Sequence, residues 1–273
     1  MIDKTNPSSE QQTLTLQQAL NLAVQHHSTG DFSEAESIYQ QILQADPNQP
    51  DPLHLLGMIA HQKGESEQAI DLIKKALTIK PDYAEAYSNL SIVLIEVGRF
   101  EEAMSNCEKA LSLRPNYAEA HSNLGLAHRG LGNPHEAVAK FQKALTIKPE
   151  FAEAHNNLGN VYNDLRQLEE AVASYEKAVK LKPDFAEAYY NLGSIFTELE
   201  NLDAAVASYQ KAIEFKPDYG EAYNNLGTTF RTLGQIEEAV ESYKKALAIN
   251  PDNRNANYNF GQALLRGGQY KDG

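Results

Sequence analysis

The sequence predicts an all-α fold: a right-handed α-solenoid superhelix of stacked helix-turn-helix hairpins. Three observations carry this. Proline recurs at 47, 81, 115, 149, 183, 217 and 251, each 34 residues after the last. Alanine recurs with the same step at 35, 69, 103, 137, 171, 205 and 239. Between prolines the apolar residues form two stripes of i, i+3, i+4, i+7 spacing, the pattern of two short amphipathic helices rather than of strands.

The segment 220–253 shows the unit most clearly. Counting from 1 at Gly220, large side chains fall at 4 (Tyr223), 7 (Leu226), 11 (Phe230) and 24 (Tyr243), and small ones at 8 (Gly227), 20 (Ala239) and 27 (Ala246). Small residues at 8 and 20 let two helix backbones approach closely, and Pro251 at 32 stops the second helix. This frame places a polar N-terminal tail at 1–14 and a repeat array at 15–273. The full repeats are 16–49, 50–83, 84–117, 118–151, 152–185, 186–219 and 220–253, followed by a partial one at 254–273.

Turn chemistry follows the frame. Asp82 with Glu85, Asp184 with Glu187 and Asp218 with Glu221 have capping-box spacing for first helices. Asp31 with Glu34 and Asn133 with Glu136 have it for second helices, with Pro134 at the first helical position. Lysines such as Lys148, Lys180 and Lys182 gather where second helices end, favouring the negative end of the dipole. At the C-terminal end Phe260, Leu264 and Leu265 have no following helix to cover them. The expectation is a chain that stops inside a longer natural protein and self-associates through that unfinished end.

Composition excludes several function classes. A net charge of −13 speaks against nucleic acid, which needs a basic surface. No apolar run is long enough to span a membrane, and the N-terminus lacks the basic and apolar regions of a signal peptide. Cys107 is the only cysteine, which suits a reducing compartment, so the expected protein is soluble and cytoplasmic.

The unit resembles the tetratricopeptide repeat, whose 34-residue length and large/small pattern it matches along almost the whole chain. The tryptophan of that pattern at position 4 is Tyr, His or Leu here. The resemblance implies that first helices line a concave groove, chiefly through positions 2, 5, 6, 9, 12 and 13. Position 6 reads Asn21, Leu55, Asn89, Asn123, Asn157, Asn191, Asn225 and Asn259. Such a ladder of amides, each with donors and an acceptor, can pair with a peptide backbone, or can equally support the neighbouring helices. Position 9 reads Val24, Met58, Ile92 and Leu126, then Asn160, Ser194, Thr228 and Gln262, an apolar floor followed by a polar one. The glutamates at position 2 (Glu85 to Glu221) suit basic ligands or caps alike. The carboxylate-clamp subclass needs lysine at position 2 or 5, and neither position holds Lys or Arg in this chain.

No catalytic motif stands out, so the expectation is a non-enzyme without cofactor. Cys107, at position 24, reads as a small core residue. His27 and His61, both at position 12, are expected to neighbour each other across the groove, but two imidazoles make a poor zinc site and no metal is expected. The reading is an interaction scaffold holding an extended peptide or partner helix. The asparagine ladder and gapless register most closely resemble the repeat region of O-linked N-acetylglucosamine transferases, with a terminal Gly268-Gln269-Tyr270-Lys271-Asp272-Gly273 like that of bacterial relatives. The alternative is therefore the acceptor-binding arm of a larger glycosyltransferase.

Overall fold

The computed structural model describes residues 15–268. The proposed tail at 1–14 and the end of the terminal glycine motif, from Gln269, lie outside the described residues. Among those described there are fifteen α-helices and no strand. The chain divides into two compact units between Pro115 and Asn116.

In the first unit α1 (Leu16–Ser28) pairs with α2 (Phe32–Ala45), α3 (Pro50–Gln62) with α4 (Ser66–Ile79), and α5 (Ala84–Glu96) with α6 (Phe100–Leu113). In the second, α7 (Ala118–Gly130) pairs with α8 (Pro134–Ile147), α9 (Ala152–Asp164) with α10 (Leu168–Leu181), α11 (Ala186–Glu198) with α12 (Leu202–Phe215), and α13 (Gly220–Thr232) with α14 (Ile236–Ile249). Helix α15 (Arg254–Arg266) packs on α14 and α13. Within each unit the second helix of one hairpin packs on the first helix of the next, so contacts run only between neighbours. That is the solenoid architecture the repeat predicts.

Each hairpin closes on one large side chain. A Cβ on Gly159 would stand 2.7 Å from the Tyr175 ring, and one on Gly193 2.7 Å from Tyr209. Gly125 faces Phe141 and Gly227 faces Tyr243 in the same way. Burying a side chain of this size contributes roughly 1.5–3 kcal/mol. In the third repeat the large residue is replaced by Cys107, and the glycine opposite by Ser91; both are buried. The alanines at position 20 are fully buried in all seven repeats.

First and second helices join through a residue in the left-handed region. It is glycine at 30, 64, 98, 132 and 234, but Arg166 (φ 61°) and Glu200 (φ 57°) in the fifth and sixth repeats. The amide of the next residue bonds back five positions, as Glu65 N–H does to the Ala60 carbonyl at 2.9 Å.

The caps differ from expectation. First helices begin at Ala84, Ala186 and Gly220, so Asp82, Asp184 and Asp218 stand one residue too early to cap them. Asp184 and Asp218 use their carbonyls instead, accepting from Ala186 N–H (2.9 Å) and Gly220 N–H (3.1 Å). Asp31 does cap α2, at 3.4 Å from Glu34 N, whereas Asn133 holds the cap position of α8 without a side-chain bond. A reciprocal capping box occurs where it was not expected, between Thr15 and Gln18. Asn201 and Asn253 cap α12 and α15. At the last helix, Phe260 packs against the Tyr243 cluster, while Tyr258 is 68% and Leu265 53% exposed.

Candidate functional site

The predicted ladder residues Asn89, Asn123, Asn157, Asn191, Asn225 and Asn259 are all half-buried on first helices. Four of them reach back to position 5 of the preceding repeat. Asn89 Nδ2 donates to His54 Nε2 at 2.9 Å, Asn225 Nδ2 to the Tyr190 hydroxyl at 3.2 Å, and Asn259 Nδ2 to Asn224 Oδ1 at 3.1 Å. Asn191 Nδ2 donates to both Asn156 Oδ1 and Asn160 Oδ1, each at 3.1 Å. The network continues: Tyr175 donates to Asn160 Oδ1 at 2.7 Å, and buried Asn156 donates to Glu187 at 3.2 Å. Most of the row therefore stitches repeat to repeat through its amide nitrogens. The carbonyl oxygens of Asn191 and Asn259 accept no hydrogen bond, and the Asn157 side chain makes none within the described residues.

Position 5 is what the sequence reading missed. His54 is buried, with its Nδ1 3.1 Å from the Tyr83 hydroxyl and its ring 4.9 Å from the Tyr83 ring. Because Nε2 accepts from Asn89, Nδ1 carries the proton and donates to Tyr83. Burial pushes the imidazole down to about 4, against a pull the other way from Asp51 and Glu85. Tyr190 sits 4.9 Å from Tyr219 and 5.9 Å from Tyr209, ring to ring. The signal was present: position 5 is polar or aromatic in every repeat after the first, on a face that an ordinary core stripe would leave apolar.

Position 9 follows position 24. Met58, Ile92 and Leu126 are half-buried above Ile73, Cys107 and Phe141, and Leu126 packs into the Phe141 core. Asn160 and Thr228 accept from the hydroxyls of Tyr175 (2.7 Å) and Tyr243 (3.1 Å), and Tyr209 donates to Thr197 at 3.4 Å. The polar floor is thus the partner of a buried phenol. In the first repeat Val24 offers no acceptor, and the Tyr39 hydroxyl is buried without a partner. Its pKa is pushed up to about 12 by burial.

Most of the position-2 carboxylates serve as partners to side chains rather than as caps. Lys148 pairs with Glu119 at 2.8 Å, Lys182 with Glu153 at 3.3 Å, Lys80 with Asp51 at 3.7 Å, and Arg114 with Glu85. The lysines also lie over the aromatic residue that ends the repeat: Lys80 over Tyr83 (4.1 Å), Lys148 over Phe151 (4.5 Å), Lys182 over Phe185 (4.9 Å) and Lys216 over Tyr219 (4.6 Å). Lys80, Lys148 and Lys182 thus join the two ends of their own repeats.

In the first unit a cleft of about 520 Å³ opens beside α1, lined by Leu20, Val24, Leu55 and Tyr83 with Asn21 and Asp51. Leu55, the one interruption of the ladder, faces it. Cys107 is buried, and desolvation pushes its thiol up to about 11. His61 Nε2 pairs with Glu96 at 2.6 Å, whereas His27 packs edge-on against Phe32 at 5.6 Å, so the two have separate partners. No group of three or more His, Cys, Asp or Glu among the described residues is placed to hold a metal ion. No described helix is long and apolar enough to cross a membrane.

Stacked hairpins closed by a glycine–tyrosine contact and lined by a polar inner row define a helical-repeat protein. The comparisons agree. One model of the tetratricopeptide repeat matches residues 82–150 and 184–252, about half of the chain. Others match 26–91 and 140–173, and a TPR repeat model matches 159–199. The chain belongs to the tetratricopeptide repeat family. No curated protein matches its sequence. Among solved structures it resembles a chain of the APC/C hetero-tetramer Cut9–Hcn1, with a TM-score of 0.78 at 18% identity. That likeness covers 89% of this chain and 48% of the other, so the chain spans about half of it. It also resembles YrrB, described as a TPR protein with an unusual peptide-binding site: TM-score 0.54, 28% identity, 68% of this chain and 96% of that one.

Proposed function

We propose that this chain is a non-catalytic interaction scaffold that holds an extended peptide or a partner helix against its first helices. The observation that carries the reading is the half-exposed amide row. Its nitrogens are largely engaged between repeats, while the Asn191 and Asn259 carbonyls and the whole Asn157 amide remain open to a ligand. Fixed acceptors on rigid helices read a peptide backbone without regard to its side chains. The 520 Å³ cleft beside Val24 supplies an apolar subsite. Met58 and Ile92 in the first unit, and Leu126 in the second, are half-buried apolar side chains at the same repeat position as Val24, and Asn160 contributes through its bond to Asn191. The peptide-binding description of YrrB supports this reading.

Asn157→Ala separates ligand contact from structure, because Asn157 has no internal bond to lose. Interactors recovered from lysate with the parent protein are titrated against this variant. A lost neutral hydrogen bond is worth roughly 0.5–1.5 kcal/mol, so affinity should fall about 2- to 13-fold at unchanged melting temperature. Unchanged affinity would remove the ladder from the binding surface. The transferase-arm alternative rests on the ladder and the gapless register, while the matched family models are those of the repeat itself.

A further inference from the structure

The second helices carry a cleft that the groove does not use. It has a volume of about 560 Å³ and lies between α12 and α14, above α13. Ile213, Tyr223, Leu226 and Phe230 give it an apolar floor. On α13 these last three lie roughly 100–160° around the helix from Asn225, so the cleft and the ladder occupy different faces.

The α14 wall is acidic. Glu237, Glu238 and Glu241 line it, all are exposed, and no ion pair among the described residues engages any of them. The corresponding places in the six earlier repeats carry at most two acidic residues. In the third repeat, moreover, Glu102 is neutralised by Arg99 at 2.7 Å. Glu237 and Glu238 stand in the first turn of α14, where the helix dipole favours them. Glu241 lies a turn further on and gains nothing from the dipole. Lys245 follows at the same i+4 step, with Nζ 5.8 Å from the Tyr223 ring centroid, which puts the wall's one cation at the other end of the cleft.

We propose that this cleft is a second peptide site on the outer face, taking a short cationic segment that carries a bulky apolar side chain beside its lysine or arginine. The apolar side chain enters between Ile213 and Phe230, and the cation meets the three carboxylates. Neither feature suffices alone: the floor would accept any apolar group, and the wall any cation.

The test uses the full chain and a fluorescein-labelled hexapeptide alternating lysine and leucine, read by anisotropy in 0.15 M salt. Two control peptides put serine in place of leucine and glutamate in place of lysine. The expected result is saturable binding of the lysine–leucine peptide and at least about tenfold weaker binding of both controls. The combined variant Glu237→Gln, Glu238→Gln and Glu241→Gln should lose about tenfold or more, with its helical signal unchanged. Neutralising three other exposed carboxylates (Glu169→Gln, Glu170→Gln, Glu176→Gln) should leave binding within twofold, as should Asn157→Ala in the groove. Absence of binding, equal loss in the two glutamine variants, equal binding of the serine peptide, or sensitivity to Asn157→Ala would each overturn the proposal. Because the groove is tested with a different ligand and variant, either site can fail without the other.

Discussion

In repeats 2 to 4 the buried residue at position 24 is Ile73, Cys107 or Phe141, and the residue above it at position 9 is Met58, Ile92 or Leu126. In repeats 5 to 7 the pair becomes Tyr175 with Asn160, Tyr209 with Ser194 and Tyr243 with Thr228. Read along the sequence, position 9 turns from apolar to polar. Read across each hairpin, the core turns from apolar to phenolic and needs an acceptor where the hydroxyl emerges. The residue at position 9 therefore follows in large part from the residue at position 24 of the same hairpin. The first repeat shows what happens when the two are mismatched: Tyr39 is present, Val24 stands above it, and the hydroxyl has no partner.

The strongest break of this comparison is to empty the core position on each side. Tyr175→Ala should cost about 3–5 kcal/mol, as for other large buried aromatics, and also remove one of the two donors to the Asn160 carbonyl. Cys107→Ala should cost well under half as much, since Ser91 already fills part of that space. Urea unfolding of both variants checks this, and equal losses would mean that position 24 does not set the difference.

Acid offers the next largest contrast. The amide stitch from position 6 ends on an imidazole at His54 but on amides at Asn156 and Asn224. The folded-state pKa of His54 is about 4, against 6.5 unperturbed, so the unfolded chain takes up this proton first as pH falls. Stability is therefore complete above pH 6.5 and declines from there to pH 4, by about 3 kcal/mol in total. His54→Asn should remove that component of the slope. Urea midpoints at pH 7, 6, 5 and 4 for parent and variant provide the measurement, and identical slopes would show that His54 is not the group responsible.

These contrasts also mark how far the sequence could be read. Period, helix pairs and the small residues at positions 8 and 20 were legible because each rests on steric spacing that recurs every 34 residues, whereas the contact of the position-8 glycine with the position-24 ring was not read. The caps were misplaced by one residue because Asp82, Asp184 and Asp218 have the right distance to a glutamate. The aromatic residue that follows each of them holds the cap position instead. The ladder was visible as a row, but not which of its atoms were already engaged. That depends on position 5, where His54, Asn156 and Tyr190 look unrelated until the preceding repeat is placed beside the next.

Two smaller changes sharpen the comparison from either side. Asn160→Leu converts a polar floor to an apolar one and strands the Tyr175 hydroxyl, which should cost about 1–3 kcal/mol. Val24→Thr does the reverse, giving the buried Tyr39 hydroxyl an acceptor, and should stabilise by about 1 kcal/mol or less. Thermal midpoints of both variants check the pair; a destabilised Val24→Thr protein would mean that the hydroxyl lies out of reach.

The left-handed turns have a practical consequence. A Cβ built on Gly30, Gly64, Gly98, Gly132 or Gly234 meets nothing within 4 Å, so only the backbone angle resists substitution there. Arg166 and Glu200 occupy the same turn, and the chain accommodates both. With Cys107 buried, a new cysteine at one of these turns would be the only thiol open to reagents. Dyes or crosslinkers could then be attached one repeat at a time, at sites remote from the stacked surfaces. The turn thus provides a set of evenly indexed handles for optical or force measurements on the array.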